Sequence, residues 1–288
     1  MRTSASVPSD RAVPGDGVVL HVRDWDGHGP PVVLLHGLAS NARIWDGVAS
    51  RLAGAGFRVA ALDQRGHGDS EQPDAGYDFA TVCRDLEAAL AALGAERPVL
   101  VGHSWGASVA LHYAAERDAV AGLVLVDGGL LGVADRPGMT RELARERLAP
   151  PRFAVPLEDW LARAGRFVPA GAGGDGWVRD YLRAGVEVDD RGLARARFRF
   201  DNHMQVVDAL YDQRPAELYP LVRCPVLLCP AGEEPAAAKR DALRRALELL
   251  PDARATWFED TMHDIPLQRP EALAAELARF AAEVAARG

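Results

Sequence analysis

The sequence predicts an α/β fold in which a mostly parallel, twisted sheet is flanked by helices and interrupted by one helical insertion. Three observations carry this. Short apolar runs alternate with helical patterns along most of the chain, the signature of a parallel sheet wrapped by helices. Runs such as Pro31-Val-Val-Leu-Leu and Gly122-Leu-Val-Leu-Val lack polar alternation, as strands covered on both faces do. The alternation then stops between about residues 130 and 219, where the chain turns arginine-rich and helical and is broken by Pro137, Pro150, Pro151 and Pro156.

Element by element, residues 1–14 are polar and proline-containing and read as a flexible leader, without the apolar core of a signal peptide. Strands are expected at 18–22, 32–35, 58–62, 99–101, 123–126, 226–229 and 256–258. Helices are expected at 42–53, 79–93, 107–116, 236–250 and 270–286; the last has Pro270 and Glu271 in its first turn, good start chemistry. Residues 15–129 and 220–288 thus form the core. Residues 130–219 form a helical cap, expected to contain no strong strand and to roof the sheet's carboxyl edge, where ligands bind in such folds.

Composition removes several classes. The chain has 288 residues, 48% of them apolar, enough for a substantial core. A formal charge of −8 without a basic cluster speaks against a nucleic-acid partner. No run approaches the roughly 18 apolar residues of a membrane helix, so a cytoplasmic protein with no membrane partner is expected. Lys239 is the only lysine, which together with the alanine richness reads as compositional bias. Cys83, Cys224 and Cys229 are odd in number and suggest buried free thiols; the odd spacing of the last two points them to opposite faces of a strand.

The chemistry concentrates in Gly102-His103-Ser104-Trp105-Gly106, which follows an apolar run and enters a helical pattern. A serine between glycines at a strand-to-helix junction sits on a tight turn that lifts its hydroxyl above the sheet edge, beside helix amides that favour negative charge. Such a hydroxyl needs a base. Of eight histidines, only His263 follows the last strand, in the loop before the final helix. His103 adjoins the serine at a sharp turn and so points away from it. An acid must then orient the base. Asp127 ends the strand next to the serine's strand and emerges on the same edge; Glu233 and Glu234 follow a later strand and offer a second solution. Two backbone N–H donors are needed for an oxyanion, and Trp105 and Leu38 are placed to give them, the latter after the His36-Gly37 turn. The segment from Asp63 to Ser70 reads as a loop bracing the site through paired charges. Trp105, His36, Gly37 and the insertion residues Trp160, Trp177 and His203 are candidates to line the pocket.

These residues, in the order His36-Gly37, Asp63-x-Arg65-Gly66-His67-Gly68-x-Ser70, Gly102-His103-Ser104-Trp105-Gly106 and His263, together resemble the α/β-hydrolase superfamily in its capped, serine-nucleophile branch. The match runs from about residue 18 to the C-terminus. The resemblance implies esterase, lactonase, amidase or carbon–carbon hydrolase chemistry without a metal or organic cofactor. It speaks against epoxide hydrolases and dehalogenases, which carry aspartate at the nucleophile position. One departure stands out: most members place their acid in a turn where this chain reads Ala231-Gly-Glu-Glu-Pro235, with proline at the expected aspartate. A minority moves the acid one strand back, where Asp127 stands. The reading is therefore a hydrolase of small or medium apolar carboxylic esters or lactones, with Ser104 as nucleophile, His263 as base and Asp127 as acid, Glu234 being the alternative acid. The rival readings are carbon–carbon or amide hydrolysis at the same residues, or a small-molecule binding protein on the same fold.

Overall fold

The computed structural model describes residues 7–167, 176–232 and 237–287. The first half of the core runs β1 (Ser9–Pro14), β2 (Val19–Trp25), β3 (Pro31–Leu35), α1 (Asp46–Gly54), β4 (Arg58–Leu62), α2 (Phe79–Leu93), β5 (Val99–His103), α3 (Trp105–Glu116) and β6 (Gly122–Val126). The insertion follows: α4 (Arg141–Arg147), β7 (Val155–Pro156), α5 (Leu157–Ala164), α6 (Trp177–Ala184), β8 (Val186–Val188), β9 (Leu193–Ala196), α7 (Phe200–Asp212) and α8 (Pro215–Leu218). The core then closes with β10 (Val226–Cys229), α9 (Ala237–Leu249), β11 (Ala253–Ala255), α10 (Ile265–Gln268) and α11 (Pro270–Ala285).

The eight-stranded sheet has the order β1-β2-β4-β3-β5-β6-β10-β11, parallel from β4 through β11, with β1 and β2 antiparallel at one edge. The uninterrupted apolar runs have their reason in two cores. Val33, Leu35, Leu100, Leu123, Leu125 and Leu228 pack with α2 and α3 on one face, and Val32, Leu34, Val99, Val101, Val124 and Leu227 pack with α1 and α11 on the other. Each strand thus sends alternate side chains to opposite apolar layers. Cys224 joins the first core and Cys229 the second, and all three thiols are free and buried. The helix expected at 79–93 is found at those bounds. Asp78 caps it by accepting from Thr81 N (2.9 Å), and Gly94 ends it in the left-handed conformation at φ 59°.

Three expectations need correction. Residues 9–14 are not part of a flexible leader but the edge strand β1, in register with β2 from Ser9↔Asp24 to Pro14↔Val19. Its sequence carries no apolar run because one flank of an edge strand faces water. Polar pairs anchor it instead, Arg11 to Asp24 (2.5 Å) and Asp10 to both His21 (3.0 Å) and Arg23 (3.1 Å), with Val13 buried beneath. Next, the insertion is not wholly helical. β7, β9 and β8 form a three-stranded antiparallel sheet whose hairpin turns at Gly192 (φ 76°), with Asp189 accepting from Arg191 N and Leu193 N. Strands of two to four residues are too short to announce themselves as runs. Finally, the last strand is Ala253–Ala255, not 256–258; Phe258 makes only an isolated bridge to Ala231. Pairing with β10 is set by Val226↔Ala253 and so begins before the apolar Trp257-Phe258.

The chain leaves the main sheet after Val126 and rejoins it at Val226, and the insertion seats on the loop after β4. Arg197 donates to Gly68 O and to Asp69 (both 2.8 Å), Arg199 pairs with Asp74 (2.6 Å), and the buried Asn202 donates to Pro73 O (3.0 Å) and Tyr77 Oη (2.9 Å). No described helix is long and apolar enough to cross a membrane.

Removing residues 1–14 strips the ladder from β2 and leaves the Val22 layer uncovered. The melting temperature is expected to fall by about 5–10 °C, several kcal/mol for a domain of this size, as read by calorimetry; an unchanged transition would show that β1 contributes nothing.

Candidate active site

Ser104 sits between β5 and α3 with φ 54° and ψ −117°, a conformation that side chains other than glycine rarely adopt. The turn is so tight that a Cβ on Gly102 would lie 2.2 Å from Gly106 O. Ala39, Ser104 and Asp127 are three of the four non-glycine residues with positive φ among those described, and all three meet here. Backbone strain is concentrated where side chains must be aimed, as is usual for functional positions.

The structure brings Ser104, His263 and Asp127 into one hydrogen-bonded chain. His263 Nδ1–H donates to Asp127 Oδ2 (2.7 Å), because an ionised carboxylate can only accept. That fixes the tautomer and leaves Nε2 to accept from Ser104 Oγ–H (2.8 Å). Burial by itself raises a carboxyl, but hydrogen bonds from His263, Lys239 and Ala231 N outweigh it and hold Asp127 below the usual carboxylate range. For His263, burial lowers the imidazole; the hydrogen bond and charge of Asp127, with Asp264 behind, outweigh that and leave it raised above 6.5. The His263 side chain keeps 55% of its exposure while that of Asp127 keeps 7%, so the pair runs from solvent into the interior.

His103 points away from the serine, as the sharp turn requires. Its Nε2 donates to His263 O (2.9 Å), so the ring props the backbone of the loop that carries His263. Burial and the neighbouring His263 push its pKa down to about 4, so it carries no charge at neutral pH. Trp45 covers its other side edge-on.

The loop after β3 lies against the serine: a methyl on Gly37 would sit 3.1 Å from Ser104 Cβ. Two neutral histidines hold that loop. His36 Nδ1 donates to Gly37 O (2.7 Å) while its Nε2 accepts from Gln64 N (3.1 Å). His67 Nδ1 donates to Arg65 O (2.9 Å) while its Nε2 accepts from Ala39 N (3.2 Å). Burial lowers both pKa values, that of His67 well below 6.5, which keeps a lone pair free on each ring. The expectation that His36 lines the pocket therefore fails, since the ring has no exposed surface and both nitrogens are spent on backbone. The Asp63-to-Ser70 segment braces the site through paired charges, Arg65 gripping Asp85 through two bonds (2.6 and 2.8 Å).

The insertion residues are placed less tellingly. Trp160 stacks on Phe153 at 4.6 Å, Trp177 packs against Gly47 of α1, and His203 donates from Nε2 to Leu148 O (2.8 Å). These contacts build the insertion and its seat. Phe198 does reach the site region, stacking on His67 at 3.8 Å, with Trp105 5.2 Å from the same ring. Trp105 is 2% exposed, so its side chain is packing. Glu234, the alternative acid, lies outside the described residues. Among those described, His21, Asp63 and Asp69 alone gather metal-ligand atoms, but both Asp63 oxygens already accept hydrogen bonds, from Ala42 N, His21 and Asp69 N. Sequence reasoning missed Lys239, whose ammonium lies 2.5 Å from Asp127 Oδ1. Its being the only lysine was the available signal.

A family profile described as alpha/beta hydrolase fold matches residues 30–171. The chain is 35% identical over 123 residues to the AB hydrolase superfamily protein YisY of Bacillus subtilis (strain 168), covering 42% of this chain and 46% of that protein. It is 29% identical over 284 residues to a non-heme chloroperoxidase of Streptomyces lividans, covering 92% and 96%. Among solved structures, E-2-(acetamidomethylene)succinate hydrolase matches with a TM-score of 0.78 at 26% identity, covering 95% of this chain and 98% of that one. The alignments to the first curated relatives span less than half of those proteins' lengths. The chain has the α/β-hydrolase fold.

Replacing His67 by alanine removes a buried ring between Trp105 and Phe198 and leaves Ala39 N–H without its acceptor. The expected cost is on the order of 3 kcal/mol in a denaturant melt, from cavity and orphaned donor together; a loss under about 0.5 kcal/mol would mean that the ring braces nothing.

Proposed function

We propose that this chain is a serine hydrolase of small or medium apolar carboxylic esters or lactones, working through an acyl-enzyme. The observation that carries the reading is the directed chain of two hydrogen bonds from Ser104 Oγ through His263 to Asp127. In it Ser104 attacks the carbonyl carbon as His263 Nε2 takes the hydroxyl proton, and the resulting imidazolium is stabilised by Asp127. The oxyanion that forms is held by the amides of Leu38, in the loop braced by His36 and His67, and Trp105, at the first turn of α3. The proton on Nε2 then passes to the leaving alcohol, the bond to it breaks, and the acyl group remains on Ser104. Water delivered through the same imidazole attacks the acyl-enzyme and returns Ser104 to its starting form. None of these steps calls for a metal or organic cofactor. The half-exposed His263 suits this work, since a proton acceptor that must meet both alcohol and water needs access to the solvent side.

Amide cleavage by the same residues is the second reading. A similar solved structure is called a hydrolase of E-2-(acetamidomethylene)succinate, whose name contains an acetamide, so a substrate panel should carry amides beside esters and lactones.

Intact-mass analysis with a fluorophosphonate is the test. One adduct on the wild type and none on Ser104→Ala is expected; folded wild-type protein that takes no adduct would sink the proposal and bring the binding-protein reading forward. Asp127→Asn is expected to slow turnover by about 10⁴-fold with the fold retained, because the imidazole then adopts the wrong tautomer. The labelling rate should also depend on pH in a defined direction. The base must be unprotonated to act and its pKa is raised, so the rate rises with pH through a midpoint above 6.5; a midpoint below 6 would contradict the assignment of His263.

A further inference from the structure

Lys239 stands in the first turn of α9, on the far side of Asp127 from His263. Its Nζ lies 2.5 Å from Asp127 Oδ1 and donates to Ala231 O at 2.6 Å. Ala231 N donates to the same Oδ1 at 3.0 Å. The carboxylate is thereby divided: Oδ1 takes the ammonium and a backbone amide, and Oδ2 is left to the imidazole. The chain carries 33 lysines and arginines together, and this is the only lysine. An ammonium is a compact donor that can satisfy a carboxylate and a carbonyl at once, whereas a planar guanidinium demands a wider, forked acceptor. The side chain is 29% exposed, so its charge is only partly screened by water.

We propose that Lys239 is a positioning residue of this site: clamped between Asp127 Oδ1 and Ala231 O, it holds the carboxylate with Oδ2 toward His263 and offsets part of the negative charge that the imidazole feels. The proposal rests on the hydrolase reading for its kinetic consequence but not for its structural one. It also gives a use to the turn after β10, where this chain has proline at the position from which most superfamily members supply the acid. In this chain Ala231, just after β10, and Lys239 of α9 supply the donors that hold Asp127, one strand away.

The direction of the effect follows from the groups that face His263. Asp127 from the end of β6 and Asp264 from its own loop raise its pKa, Lys239 from α9 lowers it, and the neutral His103 at the end of β5 contributes no full charge at neutral pH. Without Lys239 the imidazolium is held more tightly, and the base is idle over a wider range of acid pH.

Lys239→Met is expected to move the acid limb of kcat/KM, and of the fluorophosphonate labelling rate, upward by about one pH unit. Activity near pH 6 then falls about tenfold, with KM little changed. Lys239→Arg, which keeps the charge, should return the limb most of the way. A loss of structure alone would lower activity evenly across pH, so a profile of unchanged shape in Lys239→Met overturns the proposal. Should the variant not fold, the single lysine allows the test on the wild-type chain. Acetylation with acetic anhydride removes the charge at Lys239 and the N-terminal amine, reductive methylation keeps it, and Lys239→Arg treated alike isolates the N-terminal contribution. Only acetylation of the lysine should move the limb. The His263 imidazole titration followed by NMR in Ser104→Ala reads the same coupling without turnover. A wild type that takes no serine label therefore refutes the hydrolase reading, and a His263 titration indifferent to Lys239→Met refutes the clamp.

Discussion

The site depends on a ladder of hydrogen bonds that runs on past the ends of the strands. Parallel pairing sets His103 opposite Val126 and Val126 opposite Cys229, so β5, β6 and β10 finish level. The next rungs are Ser104 N to Val126 O (3.0 Å) and Asp127 N to Cys229 O (2.9 Å). Nucleophile and acid candidates are thus each the first residue beyond a strand, tied to the neighbouring strand by their own amides. Both sit at positive φ, 54° for Ser104 and 42° for Asp127. Strain of that kind costs about 1–3 kcal/mol per residue and persists only where the surroundings over-determine it. The sheet, buried on both faces, supplies that constraint.

Much of this was legible because parallel strands leave a strong trace. Buried on both sides, they read as unbroken apolar runs, and whatever follows each run emerges at one edge. That logic brings Ser104, His36-Gly37 and Asp127 together from the order of residues alone, and the position of His263 after the last strand adds the fourth. What escaped has a common cause as well. β1 is held by Arg11, Asp10 and their partners, and β7 to β9 are a few residues long, so neither writes a pattern of burial into the sequence. Lys239 escaped because its contact joins a helix to a turn across the ends of two strands. A lone lysine in an arginine-rich chain is also a compositional oddity before it is a contact.

Histidine shows how far environment outranks residue type. His36 and His67 lie under the loop after β3 as neutral rings, each donating from one nitrogen and accepting at the other, a division open only to an uncharged imidazole. His21 stands between the carboxylates of Asp63 and Asp10; burial lowers its pKa, but those acids outweigh burial and leave it raised. His263 lies between these cases, with one acid on one nitrogen and a hydroxyl on the other. Neighbouring acceptors and donors thus settle whether each ring is held neutral or favoured in its charged form.

The seat of the insertion mixes two kinds of bond that respond differently to the medium. The Arg199–Asp74 pair lies open to water, and Arg197 and Asp69 are partly so, whereas Asn202 is sealed against Pro73 O and Tyr77. Exposed charge pairs lose their attraction as the screening length falls from roughly 10 Å at 0.1 M salt to about 3 Å at 1 M, while buried neutral hydrogen bonds are indifferent to it. Ionic strength therefore acts on this molecule as a selective solvent for one half of a joint, easing the arginine contacts of the insertion while the buried asparagine contact stays fast.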